Sequence, residues 1–221
     1  YVMIDGVLYG KNAETGVVDT LYFSPMSNAG TDGKVTIPAT VTDIKDRAFF
    51  NNTAITVVEF EDRTGAAALT IGSSLFYSAT NLAEVTLPSG LTEIPERMFS
   101  EASLKTIYIP NTVTSIGEGA FYKCASLAEI VFEEGGTSPL VLADGTNSSS
   151  GSGSSSSTSY YGVFAGCASL KAVVLPERTT EIGDYAFYRA YDTNLDYGSG
   201  NGLESLTIPS TVTRIGEYAF A

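Results

Sequence analysis

A phenylalanine preceded by an apolar residue recurs seven times along this chain, as Ala48-Phe49, Leu75-Phe76, Met98-Phe99, Ala120-Phe121, Val163-Phe164, Ala186-Phe187 and Ala219-Phe220. In five of the seven a proline lies eleven residues upstream, at Pro38, Pro88, Pro110, Pro176 and Pro209. A fixed internal offset that survives unequal repeat lengths marks one structural unit copied along an axis. Each copy covers the apolar face of its neighbour, so a chain of this kind grows by stacking rather than by enlarging one core.

With the proline position as a common origin, seven short segments align: Lys34 to Pro38, Val57 to Glu61, Glu84 to Pro88, Thr106 to Pro110, Glu129 to Glu133, Ala172 to Pro176 and Ser205 to Pro209. They are rich in β-branched residues and alternate in polarity, which predicts strands with one buried face. Apolar residues stand three and one before the origin, as Val85 and Leu87 do, and again six before it at Ile55, Leu82, Leu104, Leu127, Leu170 and Leu203. Another stands six after it at Ile44, Ile94, Ile116, Ile182 and Ile215. With the phenylalanine, each coil has about five inward anchors. The proline ends its strand and makes a corner, because it has no ladder donor and a fixed φ.

Two repeats break the rule. Glu61 and Glu133 replace the corner proline, and the distance to the next phenylalanine grows to fifteen and thirty-one residues. Insertions are therefore expected at about 62–70 and 134–160, with a third at 190–202. The serine- and glycine-rich stretch Ser148 to Ser159 within the second has the composition of a flexible loop.

The fullest copy, Leu104-Lys-Thr-Ile-Tyr-Ile-Pro-Asn-Thr-Val-Thr-Ser-Ile-Gly-Glu-Gly-Ala-Phe-Tyr-Lys-Cys124, resembles the BspA-like leucine-rich repeat family of bacterial cell-surface proteins. The resemblance runs from about Gly33 to Ala221. Upstream, Met3 to Tyr9 and Val17 to Phe23 resemble the family's two-stranded hairpin leader, giving a cap over 1–32 and a repeat region over 33–221. The fold implied is an α/β-type leucine-rich repeat solenoid, mostly β with short turn or 3₁₀ segments. It is expected to be right-handed, with seven coils and a parallel sheet on the concave face. The family implies an extracellular or cell-surface binding or adhesion module with no cofactor, whose partners are proteins of the host matrix, other cells or glycans. A spacer holding another domain off the surface is the alternative. Tyr1 in place of an initiator methionine, and a stop just after Phe220, are read as the limits of a trimmed fragment.

Composition narrows the chemistry. Carboxylates outnumber basic side chains 25 to 12, a net charge of −13, so nucleic acid and anionic membranes are repelled. No apolar run approaches 18 residues, and no membrane insertion of this segment is expected. There is no histidine, hence no Ser-His-Asp triad, no Cys-His pair and no histidine metal site. A carbohydrate-active enzyme needs only two carboxylates, but Glu59, Glu84 and Glu129 fall on an open strand face where burial cannot raise the pKa of a general acid. No catalytic residue is assigned. Asp192, Asn194 and Asp196 alternate as in a calcium loop, yet the glycine comes one residue late and Leu203 stands where a glutamate is needed, so an acidic turn is the reading. Cys124 and Cys167 each lie three residues after a repeat phenylalanine, in a slot that holds Asn52, Ala79 or Ala102 elsewhere. They are read as small buried thiols, with no disulfide expected.

Binding candidates are the outward positions of the strand row, above all Thr86, Tyr108, Val131 and Val174, with the last three forming one exposed row over coils four to six. A second set is the tyrosines of the insertions, Tyr160, Tyr161, Tyr191 and Tyr197, carried on loops and amphipathic.

Overall fold

The computed structural model describes residues 1–26, 32–150, 157–188 and 203–221. At the N-terminus β1 (Val2–Ile4), β2 (Val7–Lys11) and β3 (Val18–Phe23) form an antiparallel meander. That is three strands where the sequence reading drew two. Asp5 and Gly6 both have positive φ, at 48° and 77°, and turn the chain between β1 and β2, splitting the segment read as one strand.

Each repeat then contributes two strands. Repeats one and two supply β4 (Lys34–Ile37), β5 (Asp43–Ile44), β6 (Val57–Phe60) and β7 (Thr70–Ile71). Repeats three and four supply β8 (Glu84–Val85), β9 (Glu93–Ile94), β10 (Thr106–Ile109) and β11 (Ser115–Ile116). Repeat five supplies β12 (Glu129–Phe132) and β13 (Leu140–Leu142), followed by a side ribbon of β14 (Asn147–Ser150) and β15 (Ser157–Tyr160). Repeats six and seven end the chain with β16 (Ala172–Val174), β17 (Thr179–Ile182), β18 (Ser205–Thr207) and β19 (Arg214–Ile215).

The first strands of the repeats pair in parallel as β4-β6-β8, β10-β12 and β16-β18. The second strands form their own parallel row, one sheet running β19-β17-β13-β11-β9 and another in which β3 of the meander leads through β5 to β7. This second row is absent from the sequence reading, because two residues are too few to show a period. Among the described residues there is no helix, so the α/β label fails and the fold is mostly strand. The physical reason lies beside each phenylalanine. At most of them the residues two before and two after, such as Arg47 and Asn51 or Arg97 and Glu101, have φ between 53° and 60°, which no right-handed helix accommodates, and beside Phe164 Gly166 has φ of 76°.

The phenylalanine turns make a third ladder. The amide of Phe49 donates to the carbonyl of Leu75, Phe76 to Met98, Phe99 to Ala120, Phe121 to Val163, Phe164 to Ala186 and Phe187 to Ala219. The rings stack in one column with centroids 5.2 to 5.7 Å apart and planes within 14° to 25° of each other. Phe49, Phe76, Phe99, Phe121 and Phe164 are wholly buried, whereas Phe220, with a neighbour on one side only, is 45% exposed. Each such offset pair is worth about 0.5–1.5 kcal/mol beyond the area it buries.

The insertion of repeat five divides differently from the sequence reading. Leu140–Leu142, assigned to an insertion at 134–160, is a strand pairing with β11 on one side and β17 on the other. Leu140 and Leu142 are fully buried. In repeat two, Ile71 likewise keeps its place five residues before Phe76, paired with Ile44. The serine-rich stretch is not wholly a loop either: β14 and β15 pair antiparallel from Asn147 with Tyr160 to Ser150 with Ser157.

Stacking is close enough to demand glycine after some second strands. A Cβ on Gly117 would meet the Glu96 amide nitrogen at 2.6 Å, and one on Gly183 the Ala143 carbonyl oxygen at 2.1 Å. Elsewhere an acidic side chain stitches neighbouring repeats: Asp46 Oδ1 accepts from the Ser73 amide at 2.7 Å, Asp144 Oδ1 from Asp184 at 3.0 Å and Asp184 Oδ1 from Glu217 at 2.8 Å.

Candidate binding face

The row of first strands presents two outward positions per repeat. On β10 these are Thr106 and Tyr108, and the parallel register sets Thr106 beside Glu129 and Tyr108 beside Val131. Inward alternation buries Ile107 and Ile109 completely, so the outward residues stand on a rigid floor. Tyr108 is 66% exposed and Val174 65%.

No ladder joins β8 to β10. The first-strand row is interrupted there, and a groove of about 660 Å³ opens along the seam. Thr86, Tyr108 and Val131 line it, with Glu84, Lys105 and Glu133 among the charged residues at its walls. Three of the sequence candidates thus meet in one concavity. Val174 does not join them: it lies on β16, which has no ladder to β12, and is not part of the groove. Val174 therefore stands on the next strand of the row, outside the concavity that Tyr108 and Val131 share.

Tyr160 and Tyr161 lie elsewhere, among the turns. The Tyr160 ring sits 4.2 Å from that of Tyr188 and 5.0 Å from Tyr185. Tyr161 packs 4.8 Å from Tyr122, carries the Arg97 guanidinium 4.4 Å over its face, and accepts from Ser148 Oγ at 3.4 Å. Both are half-buried and braced, unlike loop residues free to adapt. Tyr191 and Tyr197, and the calcium candidates Asp192, Asn194 and Asp196, lie outside the described residues. Among the described residues no group of three acidic or cysteine side chains is placed to hold a metal.

Of the carboxylates weighed for catalysis, Glu59 is tied to Lys34 at 2.9 Å, and Glu84 and Glu129 are open to water. Cys124 and Cys167 are fully buried, and each thiol donates to the phenylalanine carbonyl of the preceding repeat, at 2.9 Å to Phe99 and 3.1 Å to Phe121. Burial pushes the Cys167 thiol up to about 12, and burial, then the neighbouring Cys167, raises Cys124 well above the usual range. Neither is a nucleophile in the folded chain. The same slot in repeat one holds Asn52, whose Nδ2 donates to Ser24 Oγ and the Pro25 carbonyl while Oδ1 accepts from Ala54 and Ile55. Polar there, it binds the meander to the first repeat.

What sequence reasoning missed is the role of the two corner glutamates. Glu61 Oε2 accepts from the Ala39 amide at 2.9 Å, and Glu133 Oε2 from the Asn111 amide at 3.0 Å, in each case the residue after the proline of the preceding repeat. An arginine completes each clamp. Arg63 donates to the carbonyls of Ala39 at 2.8 Å and Val41 at 2.7 Å, and Arg178 to those of Val113 and Pro110. Burial lowers the pKa of both guanidinium groups.

The family model for the BspA type leucine rich repeat region matches six copies over residues 28–138 and 154–221. The chain belongs to the BspA-type leucine-rich repeat family. Among solved structures it is similar to a leucine-rich repeat protein from Bacteroides ovatus, with 19% identity and a TM-score of 0.55 over 100% of this chain. It is also similar to the leucine-rich repeat protein of T. pallidum, with 20% identity and a TM-score of 0.61 over 97% of this chain and 85% of that one. The chain spans 56% of the Bacteroides ovatus protein. At these identities the likeness is one of fold. No curated protein matches the chain.

Proposed function

We propose that this BspA-type chain is a non-catalytic binding module of the cell surface or extracellular space, engaging proteins or other cells through its first-strand face. In this reading the repeats wind as a right-handed solenoid of seven coils with that face on the concave side. One observation carries the proposal: the groove between β8 and β10, where Thr86, Tyr108 and Val131 stand exposed or half-exposed over a buried floor. An aromatic ring held two-thirds bare on rigid backbone loses little entropy on contact and gains much area. Membership of the family contributes the character of a repeat region and no chemistry of its own.

The test is binding of the intact chain to immobilised extracellular-matrix proteins and to whole cells. Saturable binding that falls tenfold or more in Tyr108→Glu with Val131→Glu is the expected result. Binding unchanged in that variant would move the function off this face. An absence of saturable binding to any of them would instead favour the spacer, whose need is met by the continuous phenylalanine column alone.

A further inference from the structure

The length of each first-strand ladder follows the corner residue that ends the strand. Where that corner is glutamate the ladder back to the preceding repeat covers four register pairs, β6 on β4 and β12 on β10, and the Glu61 or Glu133 amide closes it on the Ile37 or Ile109 carbonyl. Where the corner is proline the ladder is shorter, two pairs for β8 on β6 and three for β18 on β16, or missing, as for β10 on β8 and β16 on β12. Proline has no N–H, so the closing bond cannot form. We infer that Pro110 is the positioning residue of the groove: it denies the Leu87 carbonyl a donor and so keeps β10 unlaced from β8. Its bearing on binding rests on the reading of that groove as the binding face.

The groove is built around this corner. Leu87, Ser89 and Pro110 all line it, the first two on one side of the seam and the third on the other. Val85 and Leu87 on β8's side keep 5% and 7% of their surface open, and Ile130, beside the other missing ladder, keeps 8%. Val35 and Ile37, which precede a glutamate corner, are closed to within 1%. Forward, the Pro110 corner is held: Asn111 Nδ2 donates to the Glu134 carbonyl at 2.8 Å, and Arg178 reaches the Pro110 carbonyl. Backward, its tie is Thr112 Oγ1 to the Leu91 carbonyl, beyond the end of the strand. A glutamate at 110 would bring the missing amide to Leu87 and set its carboxylate toward the Ser89 amide, as Glu61 stands to Ala39 and Glu133 to Asn111.

Hydrogen exchange of backbone amides, followed by NMR on the intact chain, tests this without a ligand. In the parallel row the Thr106 and Tyr108 amides point toward β8, as those of Glu84 and Thr86 point to the Thr56 and Val58 carbonyls. Pro110→Glu should slow exchange at Thr106 and Tyr108 by about tenfold, with the new amide at 110 protected as well. Pro110→Ala, which restores the donor without the carboxylate, should slow it by about threefold. Pro38→Glu is the control: its corner is half-buried like that of Pro110, but β4 has no strand before it in the first row, so Tyr108 should stay within about twofold. Unchanged exchange at Tyr108 in both Pro110 variants, or equal slowing in Pro38→Glu, would overturn the inference. Saturable binding to a matrix protein or to cells should fall about tenfold in Pro110→Glu. If the seam closes and binding holds, Pro110 keeps its role and the module reading loses the groove that carries it. If Tyr108→Glu with Val131→Glu abolishes binding while Pro110→Glu leaves exchange unchanged, the module reading stands and the role of Pro110 falls.

Discussion

Repeats four and five lie side by side and turn the same corner by different means. Repeat four uses Pro110, which ends its strand by lacking a donor and reaches its phenylalanine in eleven residues. Repeat five uses Glu133, whose amide donates to Ile109 at 2.9 Å and whose carboxylate accepts from Asn111. Repeat two does the same with Glu61, whose amide donates to Ile37 at 3.0 Å and whose carboxylate accepts from Ala39. Proline corners reach back through hydroxyl groups, as Thr112 Oγ1 does to the Leu91 carbonyl at 2.7 Å; a glutamate corner adds a carboxylate tie to a main-chain amide of the repeat before it. Where the chain leaves for an insertion it gains bonds to its neighbour, which lets a long excursion return without disturbing the stack.

If that is right, the buried column should be indifferent to corner type. Phe121→Ala in repeat four and Phe164→Ala in repeat five, both wholly buried, should each cost about 3–5 kcal/mol in chemical denaturation. Phe220→Ala should cost far less because its ring is already half in water. A Phe164→Ala loss much smaller than that of Phe121→Ala would break the comparison, showing that the insertion has loosened repeat five.

The arginines come next. Arg63→Ala and Arg178→Ala should each destabilise by about 1–3 kcal/mol, since partly buried corner carbonyls lose a charged donor. Lys45→Ala, whose ammonium meets the exposed Asp43 carboxylate, should leave stability nearly unchanged. Glu61→Gln and Glu133→Gln should then cost about 1 kcal/mol apiece, because an amide oxygen still accepts but without charge. A pair of equal shifts would confirm one device used twice; a neutral Glu61→Gln with a costly Glu133→Gln would tie the clamp to insertion length.

How much of this was legible beforehand depends on whether a feature is local. The anchors at Val35, Ile37, Leu104, Ile107 and Phe121 could be read because alternation and fixed spacing force them inward. Tyr108, Thr86 and Val131 could be placed outward by the same alternation. Leu140 and Leu142 were within reach, as an alternating apolar triplet inside a polar insertion, but a register counted from the proline hid them. The clamp was not legible, for the amide that Glu133 binds belongs to a strand-end one repeat away and is aligned only by stacking. The left-handed turns were hidden for another reason: Arg47, Arg97, Lys123 and Tyr185 adopt positive φ without being glycine. Likewise proline alone does not mark the seam beside β10, since Pro88 and Pro209 end strands whose ladders form, so the groove, and the separation of Val174 from it, had to be seen.

The smallest effect is electrostatic and tests whether repeat five is also stitched forward. Asp144 occupies the rung that Asp46 holds in repeat one, accepting from the Asp184 amide, and Arg214 of repeat seven reaches it at 2.7 Å. The Arg214 guanidinium holds its carboxyl below the ordinary carboxylate range, against a smaller opposing effect of burial. A depressed carboxylate pKa means that the stability it brings is present in full above the unfolded value and fades as pH falls through the lower folded one. Both side chains are largely exposed, so solvent screening keeps the contribution small. Thermal unfolding of wild type and Asp144→Asn should therefore differ slightly at neutral pH and converge as the carboxylate is protonated, with added salt shrinking the gap. Curves separated equally at every pH would assign the rung to the hydrogen bond from Asp184 alone, and the forward fastening of repeat five would then need no charge.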